Sequence, residues 1–184
     1  MISNNAEDLD ELFETARKLG AIEVRLIKSE EIVVRDWVRL KCMFGCDGFG
    51  KRLTCPPYSP TPEELRKVLK EYQWAVLFKF EKDVVKEASD LVRHQRELHH
   101  FVVQMEKEAF LKGYYSAFGF GAGACPNCES ECSLSGCIHP DLARPSMEGC
   151  GVDVFATVSR AGFAPRVAKK RNEKPTFYAL LLLA

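Results

Sequence analysis

The sequence predicts an α/β or α+β domain: a mixed sheet flanked by helices, interrupted by two cysteine-rich loops. Three observations predict it. Two strongly apolar runs, Trp74 to Phe80 and Thr176 to Leu183, read as buried strands. Amphipathic segments at helical spacing alternate with strand-like segments from residue 62 onward, which suggests a mixed or partly parallel sheet with helices against it. Eight cysteines gather mainly in two short stretches whose glycines and prolines mark them as loops.

Taken in order, residues 6–19 place Leu9, Leu12, Phe13, Ala16 and Leu19 on one helical face, and Gly20 stops the helix. Residues 22–28 and 31–39 read as short strands, with Ile22, Val24 and Leu26 alternating. From Cys42 to Pro62 the chain holds three cysteines, four prolines and three glycines, and reads as a loop. Thr61-Pro62-Glu63-Glu64 is a helix start, with Thr61 capping a helix that runs to about Tyr72.

Beyond the strand at Trp74 to Phe80, residues 83–112 form a long helix. Its stripe of Val84, Ala88, Leu91, Gln95, Leu98, Val102, Met105 and Ala109 packs on the sheet, with a homodimer seam as the sharper alternative. Another strand spans Tyr114 to Phe118 and runs into Gly119, Gly121 and Gly123. Residues 145–160 read as a helix opened by Pro145, and the last strand closes a single domain spanning residues 1–184. Neither a repeat nor a clear linker divides the chain.

Composition narrows the function classes. The apolar fraction of 46% and charged fraction of 28% are those of a folded globular protein. Lys and Arg balance Asp and Glu at 26 each, which argues against nucleic acid as a partner, since a polyanion binder shows a basic excess. The start, Met1 to Asp8, is polar and acidic, unlike a secretory or organellar signal. The longest apolar run, Ala179 to Ala184, is far short of the roughly 20 residues that span a bilayer, so a cytoplasmic location away from membranes is expected. In that setting disulfides are a weak explanation of eight cysteines, leaving metal ligands or scattered buried thiols.

Clustering favours metal ligands. Cys125, Cys128, Cys132 and Cys137 lie within thirteen residues, close enough for the chain to wrap one inorganic group. A four-iron, four-sulfide (4Fe-4S) cluster suits this, because each cysteine takes a different corner; structural zinc usually joins two well-separated pairs, and is the alternative. Gly119, Gly121 and Gly123 would let backbone N–H groups approach the sulfurs, although a plain turn also explains them. Cys42, Cys46 and Cys55 offer three thiolates, with Cys150 as the candidate fourth ligand. Two clusters would then use every cysteine. Without Cys150, one coordination position stays open, as where a metal performs chemistry.

Other side chains carry weaker signals. Asp47, Lys51, Arg52, His139 and Arg144 stand near the cysteines, but solvated loop positions account for each alone. His94, His99 and His100 on the long helix read as surface histidines, and Arg166 to Lys174 as a basic surface loop. Pro56-Pro57 is a candidate for a cis bond.

Two blocks together resemble a known family. They are Lys41-Cys42-x3-Cys46-x8-Cys55-Pro56-Pro57-x2-Pro60, and Gly121-x-Gly123-x-Cys125-x2-Cys128 followed by Cys137-x-His139-Pro140 and Ala143-Arg144-Pro145-Ser146-Met147-Glu148. This pattern resembles a prokaryotic and archaeal family of predicted metal-binding proteins of unknown function, over nearly the whole chain. The resemblance implies a cysteine-bound metal and no particular reaction. The leading expectation is an iron–sulfur protein with one or two clusters serving electron transfer to, or redox maturation of, a partner protein. An enzyme with an open-site cluster and a zinc-stabilised binding module are the alternatives.

Overall fold

The computed structural model describes residues 6–128, 131–167, 170 and 172–184. Met1 to Asn5, and Lys169 and Arg171 of the basic stretch, lie outside the described residues. Four strands, β1 (Glu23–Lys28), β2 (Trp74–Glu81), β3 (Phe118–Phe120) and β4 (Thr176–Leu183), form one sheet in the order β1-β2-β4-β3. Helices α1 (Ala6–Lys18), α2 (Trp37–Gly45), α3 (Pro62–Val68), α4 (Ala88–Leu111) and α5 (Val154–Arg160) accompany it, with 3-10 turns at Ser29–Glu31, Leu69–Glu71 and Glu148–Cys150.

The α-plus-β class is as the sequence predicts, but the partly parallel pairing is not. All three strand pairs are antiparallel, with Leu26 opposite Val76, Leu77 opposite Leu180, and Phe118 opposite Leu182. Strands β2 and β3 do run the same way, which their helical crossover through α4 permits. β4 then inserts between them, antiparallel to both. A strand–helix–strand pattern cannot reveal such a late insertion.

The continuous apolar runs follow from burial on both faces. Val76, Phe78 and Phe80, with Ala179, Leu181 and Leu183, face a core covered by α1 and α4. The alternate residues, Ala75 and Leu77 with Tyr178, Leu180 and Leu182, face a second core closed by Leu65, Leu69, Met147 and Val158. Phe101 of α4 meets Phe78 and Phe80 edge-on, at centroid distances of 4.9 and 4.7 Å, which locks the long helix over the sheet centre.

Local signals decide several boundaries. Thr61 caps α3 reciprocally: its hydroxyl accepts the Glu64 N–H at 3.2 Å while the Glu64 carboxylate accepts the Thr61 N–H at 2.7 Å. The expected strand at 31–39 reduces to one bridge, Val34 with Val152, before the chain turns into α2. Ile32 and Val33 are buried by tertiary packing, not by a ladder. The expected strand at 114–118 starts only at Phe118, because Tyr114 to Ala117 form a turn. The helix expected at 145–160 is broken at Gly151, whose φ of +91° ends the 3-10 turn; α5 begins afresh with Asp153 accepting the Ala156 N–H at 3.0 Å.

His94 and His99 are buried, not at the surface, while His100 is exposed. His94 packs against Phe177, while for His99 the reason is the glycine-rich stretch beneath α4. A Cβ at Gly119 would stand 2.1 Å from Val102 Cγ1, one at Gly121 3.2 Å from His99 Nε2, and one at Gly123 2.2 Å from Gln95 Nε2. Alternate glycines thus receive successive turns of α4, and the histidine occupies space a side chain would fill.

No hydrogen bond of good geometry reaches either ring nitrogen of His99, and only the Gly123 backbone comes near as a weak partner. Burial lowers its pKa from 6.5 to about 4, and the Gly123 backbone offsets only part of this. A lowered histidine pKa means the unfolded chain binds a proton that the folded chain refuses. Stability is therefore complete above pH 6.5 and falls as pH drops toward about 4. The slope should reach about 1.4 kcal/mol per pH unit. Denaturant unfolding of His99→Gln across that window should show a flatter profile than the natural chain; parallel profiles would exclude His99 as the cause.

Among the described residues, no helix is long and apolar enough to cross a membrane.

Candidate metal centre

All eight cysteines are free thiols. The first group is built on α2 rather than on a loop alone. Cys42 projects from the helix, Cys46 is its C-terminal cap, and the Gly48 N–H points at Cys46 Sγ at 3.4 Å. Cys55 follows a series of turns, and its carbonyl accepts the Tyr58 and Ser59 N–H groups, each at 3.0 Å. The Pro56–Pro57 bond is cis, as the sequence allows. A Cβ built on Gly48 would lie 3.3 Å from Cys55 Sγ and 3.6 Å from Cys46 Sγ, so both sulfurs crowd that glycine.

The second group follows β3. Cys125 is buried, and Cys128, Cys132 and Cys137 are half-buried; Glu129 and Ser130 between them lie outside the described residues. Asn127 ties this loop to the next turn by donating to the Leu142 carbonyl at 2.9 Å. Arg96 of α4 donates to the Pro126 carbonyl at 3.2 Å.

The two groups adjoin, and Arg52 joins them. Its guanidinium donates to the Cys125 carbonyl at 2.8 Å, and its charge acts on Cys55, Cys125 and Cys128. The Gly48 site lies against Ala124 as well, 3.4 Å from its Cβ. Segments some eighty residues apart in sequence thus meet beside the two thiol groups.

Burial pushes the Cys55 thiol up to about 11, and the neighbouring Cys46 adds to this. Cys42 is raised by burial, then by Cys46 and Glu148. Cys125 is raised by burial, and Cys128 by burial and then by Cys132 and Cys137. Within each group, then, one thiolate opposes the next. A bound cation would relieve that repulsion, since metal ligation requires the thiolate form. The donor set of soft sulfurs, grouped and adjoining, fits a thiolate-bound metal group. Among the described residues, no three His, Cys, Asp or Glu side chains are gathered around a single-ion position.

Cys150 lies close to the first group, and Cys42 and Cys55 act on its thiol. It is fully buried in the second hydrophobic core, beside the first group without sharing its cavity, and burial pushes its thiol up to about 12. That cavity has a volume of about 410 Å³ and is lined by Cys42, Cys46 and Cys55 together with Glu148 and the rings of Trp37, Phe49, Phe155 and Phe177.

Other sequence candidates divide. Arg52 touches the second group, as above, while Asp47 and Lys51 are exposed. His139 is half-buried, and its carbonyl accepts the Leu142 and Ala143 N–H groups. Arg144 turns away from the thiols: Nε and Nη2 form a bidentate pair with Glu106 of α4 at 2.6 and 2.5 Å. The N–H groups of Gly119 and Gly121 are not aimed at sulfur. That of Gly119 donates to Glu106, and that of Gly121 to the Pro145 carbonyl. Sequence reasoning passed over Arg39 and Glu148. Arg39 Nη1 donates to the Pro60 and Gly149 carbonyls at 2.9 and 3.0 Å, which clamps α2 onto the 3-10 turn of Glu148. Glu148 stood in the quoted Ser-Met-Glu string, but nothing local marked its Oε2 as buried.

A sheet-centred domain with two adjoining thiol groups has the features of a cysteine-rich metal-binding domain. The chain belongs to the family described as predicted metal-binding protein (DUF2284), whose family model matches residues 25–183. No curated protein and no solved structure matches it.

Proposed function

We propose that this protein carries an iron–sulfur cluster on Cys125, Cys128, Cys132 and Cys137 and a second metal group on Cys42, Cys46 and Cys55. In this reading it passes electrons to a partner protein. The observation that carries the reading is the adjacency of two all-thiol groups bridged by Arg52. Thiolates are the ligands of iron–sulfur clusters, and four in one short loop match the corners of a cubane. Side-by-side clusters suit electron transfer, and Arg52 supplies positive charge between two anionic groups.

Protein purified without air should be brown and contain iron and acid-labile sulfide in comparable amounts. Iron and sulfide per chain, read with the visible spectrum, test this. Zinc at full occupancy with no sulfide would overturn it in favour of a zinc-stabilised module.

One observation favours a second reading, an enzyme with an open metal position. The three thiols of the first group line a cavity of about 410 Å³ with aromatic walls, which electron transfer alone does not require. A visible spectrum that shifts on adding small ligands supports the enzyme; an unresponsive spectrum supports the carrier.

A further inference from the structure

We propose that Glu148 is a cluster ligand, its carboxylate supplying the fourth donor to a metal cluster held at separate corners by Cys42, Cys46 and Cys55. This rests on the reading that the first thiol group binds metal, and it names a donor of a different chemical kind from the cysteines.

The placement of Glu148 carries the inference. It lines the same cavity as the three thiols. Its Oε2 is buried and has no hydrogen-bond partner. A buried carboxylate oxygen left without a donor is costly, and such groups in native proteins are paired or coordinate metals. The Ser146 hydroxyl bonds to the carboxylate, and Glu148 opposes the charge of the Cys42 and Cys150 thiolates. A cation bound to the thiolates would satisfy the oxygen and the charge together.

The turn that holds Glu148 is preorganised. Ser146 Oγ accepts the Gly149 N–H at 3.0 Å, while the Gly149 carbonyl accepts from Ser59 Oγ at 2.7 Å and from Arg39 at 3.0 Å. Arg39 belongs to α2, which carries Cys42, and Ser59 follows Cys55. Gly151 is confined as well, because a Cβ there would stand 2.6 Å from Pro62 Cγ. The carboxylate is thus tied by backbone bonds to the elements that carry the thiols. Cys150 comes from the same turn, yet it packs in the hydrophobic core and does not line the cavity.

The test compares the natural protein with Glu148→Gln, Glu148→Ala, Cys150→Ala and Cys42→Ala. Each is loaded anaerobically with iron and sulfide and then challenged with a chelator. Iron retained per chain and the visible spectrum are read with and without added formate. Both Glu148 variants should hold first-group metal at least about 10-fold more weakly, with second-group iron unchanged. Formate should restore the natural spectrum to Glu148→Ala, a rescue that a purely structural role would not give. Cys150→Ala should behave like the natural protein.

Natural retention by both Glu148 variants overturns the assignment. So does a loss seen in Cys150→Ala and not in Glu148→Gln, which would make the fourth donor sulfur. If Cys42→Ala keeps all of its metal, the metal reading of the first group fails, and this assignment fails with it.

Discussion

Cys128→Ser should strip the second group of its metal and bleach most of the visible colour. Cys128 is half-buried among Cys132 and Cys137, whose charges act on it, so its thiolate forms part of one donor set. Serine keeps the shape but replaces a soft thiolate with an alcohol that stays protonated and binds iron poorly. Among the described residues, the loop from Cys125 to Cys137 has no helix or strand of its own, so bound metal would supply much of its order. Iron should fall by the full content of one cluster, and limited proteolysis should cut within this loop. A Cys128→Ser protein with natural iron and sulfide would show that this loop is not the cluster site. The first group should keep its metal, because its donors come from α2 and the turns after it.

Glu106→Ala should be the most damaging change away from the cysteines, at about 3–5 kcal/mol. Glu106 and Arg144 are 12% and 15% exposed in their side chains, too buried for water to replace either partner. The same carboxylate accepts the Gly119 N–H at 2.6 Å. Removing it leaves a buried guanidinium and a backbone donor unpaired together. For a chain of this size the melting temperature should drop by on the order of 10 °C. Glu106→Gln, which keeps an acceptor, should cost less. If the pair acts as a unit, Glu106→Ala and Arg144→Ala combined will cost much less than their sum. A loss below about 1 kcal/mol for Glu106→Ala would place this pair with weak surface ion pairs. Arg144 also opens the Arg-Pro-Ser-Met-Glu string, so its anchorage to α4 fixes the segment that delivers Glu148 to the first thiol group.

The elements legible in the sequence are those with a local cause. The apolar run at Trp74 to Phe80, the Thr61 cap and the helical periodicity ending near Leu111 each depend on residues within a few positions of one another. The two cysteine groups were legible for the same reason, since spacing alone separates them from scattered core thiols. Their surroundings were not. Cys150 looks like its fellows in sequence, yet packing places it in the core.

What the tertiary structure decided depends on distant partners. Arg52 meets Cys125, and Arg39 meets Gly149, across gaps of 73 and 110 residues. The buried histidine at position 99 owes its environment to glycines some twenty residues on, and Glu148 owes its unpartnered oxygen to a cavity assembled from several segments. The strand order is of the same kind, because β4 enters between β2 and β3 only after the rest of the sheet has been laid down in sequence. The sequence by itself determined which residue types are available for metal chemistry and which short segments are helix or strand, through periodicity, capping and clustering. Only the folded chain decided which thiols share a cavity and which carboxylate stands beside them, because burial and charge are set by neighbours that the linear order keeps apart.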